Sequence, residues 1–123
     1  MSFTQPNPAL LGHIIGLDMT AAASTNIGGL IPEGIWIIDA FFYPNTLAVY
    51  TVAPTVGVSV VAGSTIFSPV AFTGTNSSNG WAARSLGVSP FTQTGDQLQI
   101  DVTVGATATT CTFDCYIYGY RIG

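Results

Sequence analysis

Turn-forming residues break this chain every few positions, and no stretch between them carries a helical period. The 123 residues include 14 glycines and 7 prolines. The segments they bound are rich in Val, Ile, Thr, Phe, Tyr and Trp, which suit a pleated, half-buried surface. Short strands at regular spacing with turn signals between them predict an all-β sandwich or barrel. The length suits one domain.

Read in order, Met1 to Leu11 holds Pro6 and Pro8 without any period and is expected to be an extended arm. Gly12 to Met19 reads as a strand, and Thr20 to Leu30, with Gly28 and Gly29, as a loop. Pro32-Glu33-Gly34 fits a turn. Ile35 to Tyr43 is a strand apolar on both faces, a pattern expected where both faces are covered. Leu47 to Ala53 and Thr55 to Val61 follow as strands split by Pro54, which lacks a ladder donor. Thr65 to Phe72 is another strand, Thr73 to Gly80 a loop, Trp81 to Val88 a strand and Thr94-Gly95-Asp96 a turn. Gln97 to Val104 alternates, with Leu98, Ile100, Val102 and Val104 inward, and Thr110 to Ile122 closes the chain. The expectation is an eight-stranded jelly-roll β-sandwich over residues 12–123 behind an arm at 1–11. An immunoglobulin-like sandwich is the competitor, without the Cys–Trp–Cys spacing that would support it.

Charge excludes several functions. Only 7% of residues are charged and lysine is absent, with Arg84 and Arg121 the two bases and a net charge of −4. Two arginines cannot form the basic face that nucleic acid or an anionic membrane surface requires. The densest apolar run, Ile35 to Tyr43, is too short for a spanning helix and contains Asp39. The first residues lack the basic start and apolar core of a secretion signal, so synthesis in the cytosol is expected. Hydrophobic residues make up 48% of the chain. With few charges to keep molecules apart, the excess apolar area is expected to enter subunit contacts.

No constellation points to catalysis, metal or a cofactor. Cys111 and Cys115 in a strand share a face about 13 Å apart, too far for a disulfide, and read as buried thiols. His13 is the single histidine, short of a zinc set or triad, and reads as structural or as a pH-sensitive contact group. Asp39, Asp101 and Asp114 lie on strands, and a glycosidase would need two of them to converge. Asp101 is explained by solvation. Asp39, among apolar neighbours, is expected to meet Arg84, Arg121 or backbone donors. Asn76-Ser77-Ser78 matches a glycosylation sequon but sits in loop composition. A phosphate loop of the Lys-Ser/Thr type is impossible without lysine.

The last strand places Tyr116, Tyr118 and Tyr120 on one face, about 6.6 Å apart. They form either an interface, where tyrosine is enriched, or a ladder packed on its own neighbours.

The whole chain resembles the small capsid decoration (cement) proteins of tailed bacteriophages. The resemblance rests on the proline-bearing arm, Ile31-Pro32-Glu33-Gly34 leading into a hydrophobic strand, and Gly57-Val58-Ser59-Val60. It extends to the Gly95-to-Val104 segment and the closing Tyr118-Gly119-Tyr120-Arg121. It implies a non-enzymatic, homotrimeric jelly roll on the outer capsid surface of a virion, bridging capsomers through contact with the major capsid protein. On that reading the arm, with Phe3, Leu10 and Leu11, and the face of Tyr116, Tyr118 and Tyr120 are the candidate contacts. A trimeric fibre-tip module that stacks sugars on Trp36, Trp81 and the tyrosines is the alternative, and a small hydrolase a third.

Overall fold

The structure is a computed structural model that describes residues 9–32, 34–45, 47–61, 65–72, 81–84, 91–93 and 97–121; for 34, 35, 81–84 and 91–93 it describes the backbone alone. The described residues form two antiparallel sheets. The first holds β1 (Ala9–Asp18), β9 (Thr112–Arg121) and β3 (Gly34–Pro44) in that order, with β6 (Trp81–Arg84) and β7 (Phe91–Gln93) both paired to β3. The second runs β2 (Ala23–Leu30), β8 (Gln97–Val104), β4 (Thr55–Val60), β5 (Thr65–Ala71).

Alternation builds the core. Phe113, Cys115 and Ile117 of β9 and Trp36, Ile38, Ala40 and Phe42 of β3 face inward from one sheet. Leu98, Ile100 and Val102 of β8 and Val56, Val58 and Val60 of β4 meet them from the other. Each buried aliphatic or aromatic side chain contributes roughly 1.5–3 kcal/mol relative to exposure. Phe72 tops the β4–β5 end, its ring 5.1 Å from Phe113 and 6.0 Å from Phe42. The indole of Trp36 is buried, and its Nε1 donates to the Pro32 carbonyl at 3.0 Å. Gly119 leaves the notch it needs, since a Cβ there would stand 2.8 Å from the indole and 2.7 Å from Leu11.

Two of the register shifts in the edge strands hold a left-handed glycine. Among the described residues, Gly16 and Gly28 have positive φ, both at 72°. Each falls in a register shift, Gly16 between Ile14 and Leu17 against β9, Gly28 between Ile27 and Leu30 against β8. A left-handed glycine of this kind lets a strand bend without losing its pairing on either side. The bends bring the edges of the two sheets together where Gly12 crosses Gly28. A Cβ on Gly12 would meet the Gly28 nitrogen at 2.6 Å.

Several sequence expectations are corrected. Ala9, Leu10 and Leu11, read as the end of an arm, belong to β1, because β9 supplies partners from Gly119 inward. Residues 1–8 of the arm lie outside the described residues. Thr20 to Leu30 is not all loop: Ala23–Leu30 is β2, an edge strand that needs only Ile27 fully buried and therefore reads as polar. Leu47 to Ala53 is a connection with one bridge residue, Val49, and its Leu47 and Val49 are 77% and 80% exposed. Val104 ends β8 exposed instead of inward. β3 is apolar on both faces, yet its outer face carries no described strand over it. The loop at 73–80 and the turn at 94–96 lie outside the described residues, as does 85–88, the end of the strand expected from Trp81.

Candidate functional site

The outer face of the first sheet is the place where exposed side chains gather into a site. Period-2 alternation sends Ile37, Asp39, Phe41 and Tyr43 of β3 outward, opposite the buried row from Trp36 to Phe42. On β9 the outward row is Asp114, Tyr116, Tyr118 and Tyr120. Antiparallel pairing sets Phe41 against Tyr116, Tyr43 against Asp114, Asp39 against Tyr118 and Ile37 against Tyr120. Directly opposed residues share a face, so the rows interleave.

Phe41, Tyr43, Tyr116 and Tyr118 line an open trough of about 320 Å³. That lies at the small end of the roughly 300–1,000 Å³ seen for ligand sites. Phe41 stands edge-on to Tyr118 at 5.8 Å and 78°, and Tyr43 edge-on to Tyr116 at 6.2 Å and 64°. The rings of Phe41 and Tyr43 run parallel, 6.4 Å apart at 4°. His13 extends the surface onto β1, stacked on Tyr116 at 6.3 Å and 17°. Edge-to-face pairs of this kind are worth about 0.5–1.5 kcal/mol beyond their buried area, so the rings hold their places without a ligand. Tyr43 is half exposed, and the rings of Tyr116 and Tyr118 are partly so.

The candidate contact residues divide. Tyr116 and Tyr118 are trough walls, and Tyr120 continues their row. Leu10, 49% exposed, pairs with Tyr118 on the same sheet, so two groups of candidates far apart in sequence adjoin. Leu11 instead turns toward the core beside Gly119. Phe3 lies outside the described residues. Sequence reasoning missed Phe41 and Tyr43 as site residues. Their outward phase was readable within Ile35 to Tyr43, but the pairing of β3 with β9 was not.

The carboxylates do not converge. Asp101 is on the other sheet, where its two oxygens accept from Ser24 Oγ at 2.7 Å and Ser59 Oγ at 2.6 Å. Solvation alone therefore does not explain it. Asp39 and Asp114 share the aromatic face but stand about four residues apart along the sheet, on the order of 13 Å, beyond the ~5–9.5 Å of a glycosidase pair. Asp114 is occupied: its Oδ1 accepts from the Gly16 amide and from Asn45 Nδ2, each at 2.9 Å, and so ties the β1 bulge to the end of β3. Asp39 is buried, and the register places Arg84 directly across from it in β6, whereas Arg121 pairs three residues away with Trp36.

Cys111 and Cys115 are free and buried in the same inward row as Phe113 and Ile117. Burial pushes both thiols up, Cys115 to about 12 with a further push from Asp114. A thiolate, the reactive form, is therefore disfavoured at both. Among the described residues no group of three His, Cys, Asp or Glu side chains is placed to hold a metal ion.

No family model matches the sequence, and no curated protein resembles it in sequence. Solved structures share its fold. A chain of the cyanophage Pam1 capsid asymmetric unit superposes with a TM-score of 0.61 at 18% identity, over 99% of this chain and 90% of that one. The crystal structure of FLHE superposes with a TM-score of 0.52 at 12% identity, over 97% and 100%.

Proposed function

We propose that this chain is a non-enzymatic structural protein of a phage virion, a homotrimeric jelly roll that decorates the outer capsid surface and stabilises it by bridging capsomers. The observation that carries the reading is the match of fold, over nearly the whole chain, to a chain from a phage capsid asymmetric unit. The strand order supports the jelly-roll part. β1 pairs β9, β2 pairs β8, β3 pairs β6 and β7, and β4 pairs β5. Such nesting is one long hairpin folded around β4–β5 and rolled into two sheets, with β6 and β7 as one interrupted strand.

The surface supports the assembly part. Ile15, Leu30, Leu47 and Val49 are 58%, 71%, 77% and 80% exposed, and the aromatic face adds to them. Large apolar side chains left open on a chain with so few charges favour burial between subunits and against the major capsid protein. The test is co-sedimentation with undecorated shells of the parent phage, paired with light scattering of the free protein. Saturable binding and a mass three times 12.8 kDa are expected; absence of shell binding refutes the proposal.

A carbohydrate-binding fibre tip is the second reading, favoured by the aromatic trough. The burial of Trp36 removes one of its stacking residues. Glycan-array hits lost in Tyr118→Ala would favour it over decoration.

A further inference from the structure

We propose that the aromatic trough between β3 and β9 receives the proline-bearing segment 1–8 of a neighbouring copy, so that subunits of the oligomer are latched by exchanged N-termini. The inference rests on the self-assembly in the reading above, and not on capsid binding.

The trough selects the kind of occupant. Its rings already meet in edge-to-face pairs, Phe41 with Tyr118 and Tyr43 with Tyr116. What stays open above these rings is the trough of about 320 Å³ that they line. Aromatic-lined sites take proline-bearing segments because these are already extended and lose little entropy on docking. The segment Met1-Ser2-Phe3-Thr4-Gln5-Pro6-Asn7-Pro8 has that character and contains no Asp, Glu, Lys or Arg. The four lining residues are likewise uncharged.

Position selects whose segment it is. Ala9 pairs with Gly119 and Leu10 with Tyr118, so β1 leaves the sheet at the end of β9 with its chain direction pointing away from Tyr116. Extended, eight residues reach about 26–29 Å past that edge. To fill its own trough the segment must reverse, cross β9 and return about 10 Å to the level of Tyr116. To fill a neighbour's trough it needs no reversal. Leu10, exposed beside Tyr118, continues the apolar track up to the point of departure.

The experiment is disulfide trapping in the full chain. His13 is exposed beside Tyr116 but does not line the trough, so His13→Cys supplies one thiol. Ser2→Cys, Thr4→Cys or Asn7→Cys supplies the other in separate variants. The buried Cys111 and Cys115 stay out of the reaction. After mild oxidation, covalent dimers and trimers on non-reducing gels from at least one pair are expected. A cross-linked monomer assigns the segment to its own trough and overturns the exchange. No cross-link from any pair overturns the segment as occupant. Light scattering on the same samples separates the two readings, because a trimer without cross-links removes the latch and leaves the proposed function standing. As a second measure, Pro6→Gly with Pro8→Gly should weaken self-association about tenfold by loosening the extended segment. Unchanged association would count against the latch.

Discussion

Gly28→Ala tests the crossing that closes the sandwich, and its neighbour supplies the control. Gly28 has φ of 72°, and a Cβ there would run into the Leu11 carbonyl oxygen and stand 3.0 Å from the Gly12 Cα. These are backbone atoms, and Gly12 is paired to Ile117 of β9, so no side chain can swing aside. The left-handed conformation costs a non-glycine residue roughly 1–2 kcal/mol, and forced overpacking adds about 1–3 kcal/mol. The sum, about 2–5 kcal/mol, is a large part of the ~5–15 kcal/mol that holds a domain folded. For a domain of this size the melting temperature should fall on the order of 10–20 °C. At Gly29, one residue on, a Cβ would point into open space, and φ is not positive. Gly29→Ala should therefore stay within about 0.5 kcal/mol of the parent. Urea unfolding followed by tryptophan fluorescence, repeated at several protein concentrations to separate folding from assembly, measures both. Equal losses in the two variants would refute the argument that the Gly12–Gly28 crossing is fixed by backbone contact.

Phe113→Ala removes a fully buried ring packed on Phe72 and should lose about 3–5 kcal/mol by the same unfolding assay, with Phe113→Leu losing far less. The two cysteines should resist a thiol reagent at pH 8 in the native protein and react promptly in denaturant, since burial pushes both thiols up; fast native labelling would contradict the packing of β9. The hydroxyl and then the amide of Thr20 hold the Asp18 carboxyl below the usual aspartate range. A carboxylate depressed on folding stabilises above its unfolded pKa and loses that contribution as pH falls through the lower folded value. The stability gap between parent and Asp18→Ala should thus be full near neutrality and close below about pH 4, as read by unfolding midpoints across pH.

Much of this fold is local enough to read in the sequence. β8 alternates strictly from Leu98 to Val102 because one face meets the core and the other forms hydrogen bonds, and the strands around Ile38, Val58 and Ile117 declare themselves by β-branched and aromatic runs. The failures have tertiary causes. β2 is a strand because β8 pairs it, not because Ala23 to Leu30 favours one; its outward side chains, Ser24 and Asn26, bond to Asp101 and Gln97. Leu47 and Val49 look like core residues and are not, since nothing within a sequence window tells an apolar side chain whether an opposing sheet will cover it. The site was half legible for the same reason. The period of β9 puts the three tyrosines on one face, while their partners Phe41, Tyr43 and His13 arrive through pairings spanning the length of the chain.

The two outer faces of the sandwich differ in what contact would gain. On the β2–β8–β4 side, Gln99 donates to Ser59, Ser59 and Ser24 to Asp101, and Gln97 to the Gly28 carbonyl at 2.6 Å. These groups hydrogen-bond among themselves. A partner placed there would remove the water around a carboxylate while burying little apolar area, and desolvating such groups is unfavourable unless each bond is replaced. On the β1–β9–β3 side, contact covers Leu10, Phe41, Tyr43, Tyr116 and Tyr118, each Å² of apolar surface contributing about 25 cal/mol. The phenol groups can stay at the rim, where a polar tip keeps its water. On the proposed assembly, the hydroxyl and amide face keeps its water while the aromatic face is the one whose burial drives association, so a mutation that inserts a charge should weaken assembly at Tyr118 and leave it intact at Asn26.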